Sequence, residues 1–451
     1  MKYNESFLHG SIAKALVRFA IPMMLASFLQ LLYTMTDLFV VGRFAETADV
    51  SAVSTSGDIV HAVTTMIIGF TTAVTILIGQ FAGAKRPDSI ARVVGTSAVF
   101  FVSLSAVLTV AMLLLNAKMV DWLNTPAEAV PQAREYLRIC SWGIVFITGY
   151  NVSGSIMRGM GNSKTPLLFV AVACVINIIA DILLVAVFGM GAAGAAFATV
   201  FSQAGSFVFS LIYFRTKGLG FPFSIRDIRW EGEHAKSLLL IGIPLALQEF
   251  LVSISFVLIT KVVNSLGLAA SAASGIVVKV GSFFSRPTNA FSGAVSAMAA
   301  HNIGAGNRAR AKKCMLIAAA ICAAFAVIVN IFTMTKGAFF IRIFSGDPEV
   351  IEKGADFLMT QALDIIVISF VFTMNGYFNA CGRSVFTMTH SLITTFCVRV
   401  PLAFWFGTFP EHTMRWLGTA APITSVASVI LCIFYIRYLD RHPEKILSVA
   451  K

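Results

Sequence analysis

The sequence predicts an all-α polytopic membrane protein, with twelve transmembrane helices in two six-helix lobes related by a pseudo-two-fold axis along the membrane normal. Three observations lead there. The 451-residue chain is 57% hydrophobic and only 12% charged, with a mean hydropathy of +0.83, whereas soluble domains carry about 25% charged residues. Its apolar residues collect in runs long enough to cross a hydrocarbon core of about 30 Å. The sequence also repeats itself. Pro22 pairs with Pro244, and Thr125-Pro126 with Asp347-Pro348, at a spacing of 222. At 221, GQFAGAKR (Gly79–Arg86) falls on AHNIGAGN (Ala300–Asn307), REYLR (Arg134–Arg138) on ADFLM (Ala355–Met359), and Gly161 on Gly382. Several matches at one spacing mark an internal duplication. Six helices per copy is an even number, so both copies share one orientation, the parallel-repeat arrangement of some secondary transporters.

The runs, taken in order, are 13–41, 50–82, 91–116, 134–157, 165–188 and 191–214, then 237–263, 266–300, 312–335, 354–381, 385–408 and 415–438. None alternates with period two, so they read as helices rather than barrel strands. The second and eighth are the longest and must tilt or project beyond the membrane. Basic residues gather in alternate loops: Lys85, Arg86 and Arg92, then Arg158 and Lys164, then Arg215–Lys236, then Arg308–Lys313. With the N-terminus inside, about 22 Lys and Arg fall on the inner side and about 9 on the outer, in keeping with the positive-inside rule. Both termini are then cytoplasmic. The polar stretch 215–236 is the expected cytoplasmic linker between lobes 1–214 and 237–451. The first run is too long for a cleaved signal, and a bacterial-type plasma membrane is the expected location.

The net charge of +12 sits in these short clusters, so no nucleic-acid partner is expected; the partners are the lipid bilayer and small molecules. All seven cysteines lie in or against apolar runs without metal-ligand spacing, and read as free, buried thiols. GMGAAG (Gly189–Gly194) matches a dinucleotide fingerprint by letter, but no strand precedes it and no acid follows at the required distance. It reads as a tight turn between closely packed helices. No Walker A, HExxH or GxSxG sequence is present, so the protein is not expected to be an enzyme and no cofactor is expected. An ion gradient would supply the energy for any transport.

The first run, Phe19–Gly42, holds a proline, Pro22, and one carboxylate, Asp37. A carboxylate at such a depth is costly and reads by default as functional; hydration at a helix end is the alternative. In the fifth run Asn177 and Asp181 share a face four residues apart, and Thr199 lies two turns into the sixth. Asp37, Asp181 and Thr199 would sit about 6–12 Å below the outer surface, with Asn177 one turn deeper. Two carboxylates, an amide and a hydroxyl at similar depth offer oxygen ligands to Na⁺, or could share a proton. Separate interhelical hydrogen bonds are the plainer possibility. Asp58 and His61 share a face of the second run, more simply as polar lining. In the second half, Glu249, Lys279, Asp364 and Arg399 form a second candidate polar site, with the two acids available to pair with the two bases. Met23, Met24, Met35 and the many phenylalanines suit an adaptable apolar pocket or simple packing.

Taken together, TDLFVVGRF (Thr36–Phe44), GQFAGAK (Gly79–Lys85), HNIGAGN (His301–Asn307), MRGMGNSKTP (Met157–Pro166) and RVPL (Arg399–Leu402) resemble the MATE family, the multidrug and toxic compound extrusion transporters. The likeness spans essentially the whole chain and is best to the DinF-like branch. It implies an antiporter coupled to H⁺ or Na⁺ that exports organic cations and other amphipathic compounds by alternating access; a monomer is expected. It also implies a coupling site at Asp37, Asn177, Asp181 and Thr199, with Pro22 as the hinge of the first helix. In the NorM-like branch the corresponding carboxylates lie in the second lobe, at positions that are here Val252 and about Ile368. Glu249 and Asp364 stand about one turn away from them. A flippase for a lipid-linked precursor is the alternative transport function, and a non-transporting scaffold or receptor the alternative class.

Overall fold

A computed structural model describes residues 5–446 apart from 124 and 410–412. The extreme ends of the two expected lobes, 1–4 and 447–451, lie outside the described residues. Twelve helical spans are long and apolar enough to cross a membrane, and there is no strand among the described residues. The first six are α1 (Ile12–Phe44), α2 (Thr47–Gly83), α3 (Pro87–Trp122), α4 (Val130–Gly159), α5 (Lys164–Asp181) and α6 (Gly191–Lys217). The second six are α7 (Gly232–Asn264), α8 (Leu268–Gly304), α9 (Arg308–Arg342), α10 (Pro348–Ala380), the pair α11 (Ser384–Thr394) and α12 (Val400–Phe406), and α13 (Thr413–Arg441). Each expected run falls on one of these spans. Several helices extend beyond their apolar run because polar residues continue the backbone ladder outside hydrocarbon. Pro87 and Pro348 supply N-terminal starts for two of them, where a missing N–H costs nothing.

Two spans depart from the regular helices expected. The fifth passes into a π turn, Ile182–Val187, immediately after Asp181. The eleventh contains a second, Thr395–Arg399, between α11 and α12. A π turn carries one extra residue per turn and has no composition of its own, so hydropathy does not reveal it; such turns are frequent at functional sites.

The chain forms two compact units, one holding Ile21–Ala246 and the other Ser6–Ala20 with the chain from Leu247 onward. The stretch 215–236, expected as a linker, therefore packs with the first unit. The chain changes unit inside α1 and inside α7, one or two residues from Pro22 and Pro244. Both helices run on through their prolines.

In the first unit α4 is central, packed on α2, α3 and α6; in the second, α10 packs on α8, α9 and α13. Matched hydrogen bonds hold these layers. Thr75 Oγ1 of α2 donates to the Ser155 carbonyl of α4 at 3.0 Å. At the repeat spacing, Ser296 Oγ of α8 donates to the Gly376 carbonyl of α10 at 3.3 Å. The helix ends repeat as well: α2, α4, α8 and α10 are each followed by a residue with positive φ, at Lys85, Gly161, Gly306 and Gly382. In each case the next amide returns to the carbonyl five residues back, for example Asn162 N to Met157 O at 2.9 Å, which satisfies an orphan carbonyl.

The segments leading into α1 and α7 are clamped in similar ways. In the second unit Phe7 is fully buried, edge-on to Phe19 and to His301. Its carbonyl accepts from Asn302 Nδ2 and Arg310 Nε, while Arg310 Nη2 also reaches the carbonyls of His9 and Gly10. In the first unit the Arg229 carbonyl accepts from Thr96, and Glu231 pairs with Arg229 at 2.7 Å. The turn GMGAAG is the close junction expected. Gly191 has φ of 53°, and a Cβ there would stand 2.6 Å from the Asp49 carboxylate, which accepts from Ala192 N at 2.9 Å.

Candidate functional site

Asp37 lies three-quarters of the way along α1, on the stripe that carries Val40 and Val41 into the core of the first unit. It is 8% exposed, and Asn177 and Asp181 of α5 are wholly buried. The carboxyl groups of Asp37 and Asp181 meet side chain to side chain. When both are ionised each is only an acceptor, so neither can satisfy the other. Asp37 Oδ1, both oxygens of Asp181, and the amide oxygen and nitrogen of Asn177 have no hydrogen-bond partner. Five unsatisfied polar atoms so close together are unusual in a packed interior, where nearly all such groups are paired.

Tyr136 of α4, 4% exposed, touches the side chains of Thr199 on α6 and Cys140 on α4, and lies within electrostatic range of Asp37. Tyr33, one turn before Asp37, lies within the same range. Behind them stand apolar residues, among them Ile144, Val185 and Ala195. Asp37 and Asp181 are thus in contact, Asn177 lies one turn from Asp181 on α5, and Thr199 joins the same neighbourhood through Tyr136. The aromatic pair was missed from sequence. The spacing Tyr33–Asp37 was the available signal, whereas Tyr136 is one of many aromatics in apolar runs and carries none. An oxygen-rich cluster of this kind suits a hard cation such as Na⁺, or a proton held between the two carboxylates.

The second-half candidates separate into two groups. Asp364 of α10 accepts a hydrogen bond from Ser425 of α13 and lies within electrostatic range of Arg399. The Arg399 guanidinium stands over the ring of Phe256 at 4.7 Å. Glu249 and Lys279 are exposed and form no ion pair with each other among the described residues. Asp58 and His61 are likewise exposed on α2.

The family model MatE matches residues 22–183 and again 244–405. The chain belongs to the MatE family. The two matches begin at Pro22 and Pro244 and end at the same spacing of 222, so the family model recognises each half of the repeat. Among MatE relatives, the probable multidrug resistance protein YpnP of Bacillus subtilis is 31% identical over 413 residues, covering 91% of each chain. The probable multidrug resistance protein NorM of Thermotoga maritima is 25% identical over 431 residues, 94% of this chain and 92% of that one. In fold, a MOP-superfamily transporter from Pyrococcus furiosus superposes with a TM-score of 0.91 at 21% identity, covering 98% of this chain and all of that one. The protein is a multi-pass membrane protein with twelve spans and the MATE fold.

Proposed function

We propose that the protein is an ion-coupled antiporter of the plasma membrane that exports amphipathic or cationic small molecules by alternating access, acting as a monomer with both termini cytoplasmic. The names of the curated relatives, multidrug resistance or multidrug export proteins, support the substrate class. The observation that carries ion coupling is the set of five unpartnered polar atoms on Asp37, Asn177 and Asp181. Two facing carboxylates in a buried site are stable only with a positive charge between them, whether a shared proton or Na⁺. Asp37 and Asp181 hold that charge, Asn177 supplies its amide oxygen, and Thr199 with Tyr136 closes the side toward α6. Asp37, Asn177, Asp181 and Thr199 are the set the DinF-like resemblance implies, and Tyr136 adds to it. Coupling requires that the ion bind one conformation better than the other, since equal affinity would shift no population. Because α1 carries Asp37 and changes compact unit beside Pro22, ion binding acts on the helix that joins the two units, with Pro22 as its hinge.

The test is cationic-dye efflux from proteoliposomes under a pH gradient and a Na⁺ gradient applied separately, with wild type and Asp37→Asn. Efflux driven by one gradient and lost in the variant is the expected result and names the ion. Wild-type efflux by Asp37→Asn ends the assignment, and absence of dye movement under both gradients makes a lipid-linked precursor the next substrate to try.

A further inference from the structure

Asp49, in the first turn of α2, bonds to the starts of two helices at once. Its Oδ1 accepts from Ala192 N of α6 at 2.9 Å, and its Oδ2 from Glu46 N, just before its own helix, at 3.3 Å. An anion is favoured at a helix N-terminus, and this one serves both α2 and α6. The start of α6 is tied in turn to Asp181. The π turn Ile182–Val187 that follows Asp181 is closed by Phe188 N and Met190 N, which return to the carbonyls of Leu183 and Leu184 at 2.9 Å each. Gly191 then takes its positive φ against the Asp49 carboxylate.

An apolar layer lies between this junction and the coupling residues. Val40 and Val41 stand one turn from Asp37, Val185 one turn from Asp181, and Ala195 and Ala196 one turn from Thr199, each toward the α1–α2 and α5–α6 turns. With Ala192, and Ala52 one turn from Asp49, they belong to a single buried cluster. The second unit has neither part of this arrangement. At a spacing of 221 Asp49 falls on Ala270, and at 222 Asp181 falls on Ala403. Both alanines lie in that unit's apolar cluster, and Ala403 lies within regular helix, in α12.

We propose that Asp49 is a positioning residue of the coupling site: by holding the start of α6 to α2, it fixes the places from which Asp181 and Thr199 face Asp37. This rests on the ion-coupled reading above. Asp49 acts through Ala192 and Gly191 and is not itself a ligand. A π turn interrupts the regular ladder of α5 directly after Asp181, so that end of the helix needs a hold from outside it. Groups that orient the ligands of an ion, without touching the ion, change its affinity by about 10–100-fold. The copy that lacks the carboxylates lacks the hold as well.

The experiment is thermal unfolding of the purified full-length protein, titrated with NaCl against choline chloride at alkaline pH and, in choline chloride, across pH. The half-saturating concentration of the ion is read from the rise in melting midpoint that binding produces. Asp49→Ala is expected to raise that concentration about 10-fold, which for H⁺ is a half-point about one pH unit lower. Asp49→Asn keeps an oxygen for Ala192 N and should stay near wild type. A purely structural contact would lower the midpoint in sodium-free alkaline buffer and leave the half-saturating concentration where it is. That result, or failure of Asp49→Asn to restore ion affinity, overturns the proposal. If Asp49→Ala yields no folded protein, Asp49→Glu decides, since it keeps the carboxylate and lengthens its reach: weakened ion affinity supports the positioning role and unchanged affinity refutes it. A wild-type midpoint that responds to neither ion removes the ion-coupled reading and the proposal with it. A wild-type response that Asp49→Ala leaves unaltered removes the positioning role alone.

Discussion

The first unit keeps a cluster of buried polar side chains where the second has apolar ones, although the apolar residues packed around the two places are nearly the same. Val40, Val41, Ala52, Val120 and Leu137 form part of the first unit's apolar cluster. Val262, Val263, Ala273, Ile341 and Leu358, each 221 or 222 residues later, form part of the second's. Amid those residues, Asp37, Asp181 and Tyr136 in one copy correspond to Ile259, Ala403 and Phe357 in the other. Duplication has preserved packing and not chemistry. A buried unsatisfied group costs about 1–3 kcal/mol, so the apolar filling is the stable default and the first unit departs from it for function.

The largest effect that would break this contrast is on transport. Asp37→Asn or Asp181→Asn leaves the size of the side chain nearly unchanged but removes one of the cluster's two carboxylates. Gradient-driven dye efflux should be lost, with unchanged purification behaviour. Efflux within a factor of about two of wild type would mean that the orphan atoms serve packing alone.

A smaller effect of opposite sign sharpens it. Asp181→Ala places in the first unit the residue that the second has at Ala403. Unfolding in sodium-free, alkaline buffer should show a gain of about 1–3 kcal/mol, because an unsatisfied carboxylate is removed, while efflux is lost. A destabilised variant would show that Asp181 is structurally required and that the two copies are not interchangeable there. The matched hydrogen bonds give a control outside the site. Thr75→Val and Ser296→Ala should each cost about 1 kcal/mol; a cost confined to one of them would mean that the layers of the two units are not held alike.

Much of this was legible in the sequence, for identifiable reasons. The twelve spans follow from hydropathy because lipid leaves the backbone no choice but helix. Asp37, Asn177 and Asp181 stood out because a charge or amide in an apolar run is conspicuous, and the helical period places the last two on one face. What stayed hidden depends on packing. The π turns after Asp181 and before Val400 have no composition of their own. Tyr136 looks like any core aromatic. Glu249 and Lys279 look as promising by letter as Asp364, and only packing separates the exposed pair from the carboxylate that Ser425 holds. The change of unit inside α1 and α7 was likewise invisible, since each is one continuous helix with a proline in it.

The smallest effect concerns a place where the repeat is imperfect for no apparent chemical reason. Lys85 follows α2 with φ of 56° and is the one non-glycine residue of positive φ among the described residues, whereas the repeat position after α8 is Gly306. An L-residue in that region is strained by about 1–2 kcal/mol, while glycine gives back part of this through its freer unfolded chain. Lys85→Gly should therefore stabilise the protein by about 1 kcal/mol, a rise of roughly 2–4 °C in melting midpoint, and Gly306→Lys should lower it by a similar amount. Efflux should not change in Lys85→Gly, because Arg86 and Arg92 keep the loop basic. If efflux falls while stability rises, Lys85 is held in its strained conformation for a function of the loop between α2 and α3. The asymmetry between the units would then reach beyond the buried carboxylates to the ends of their helices.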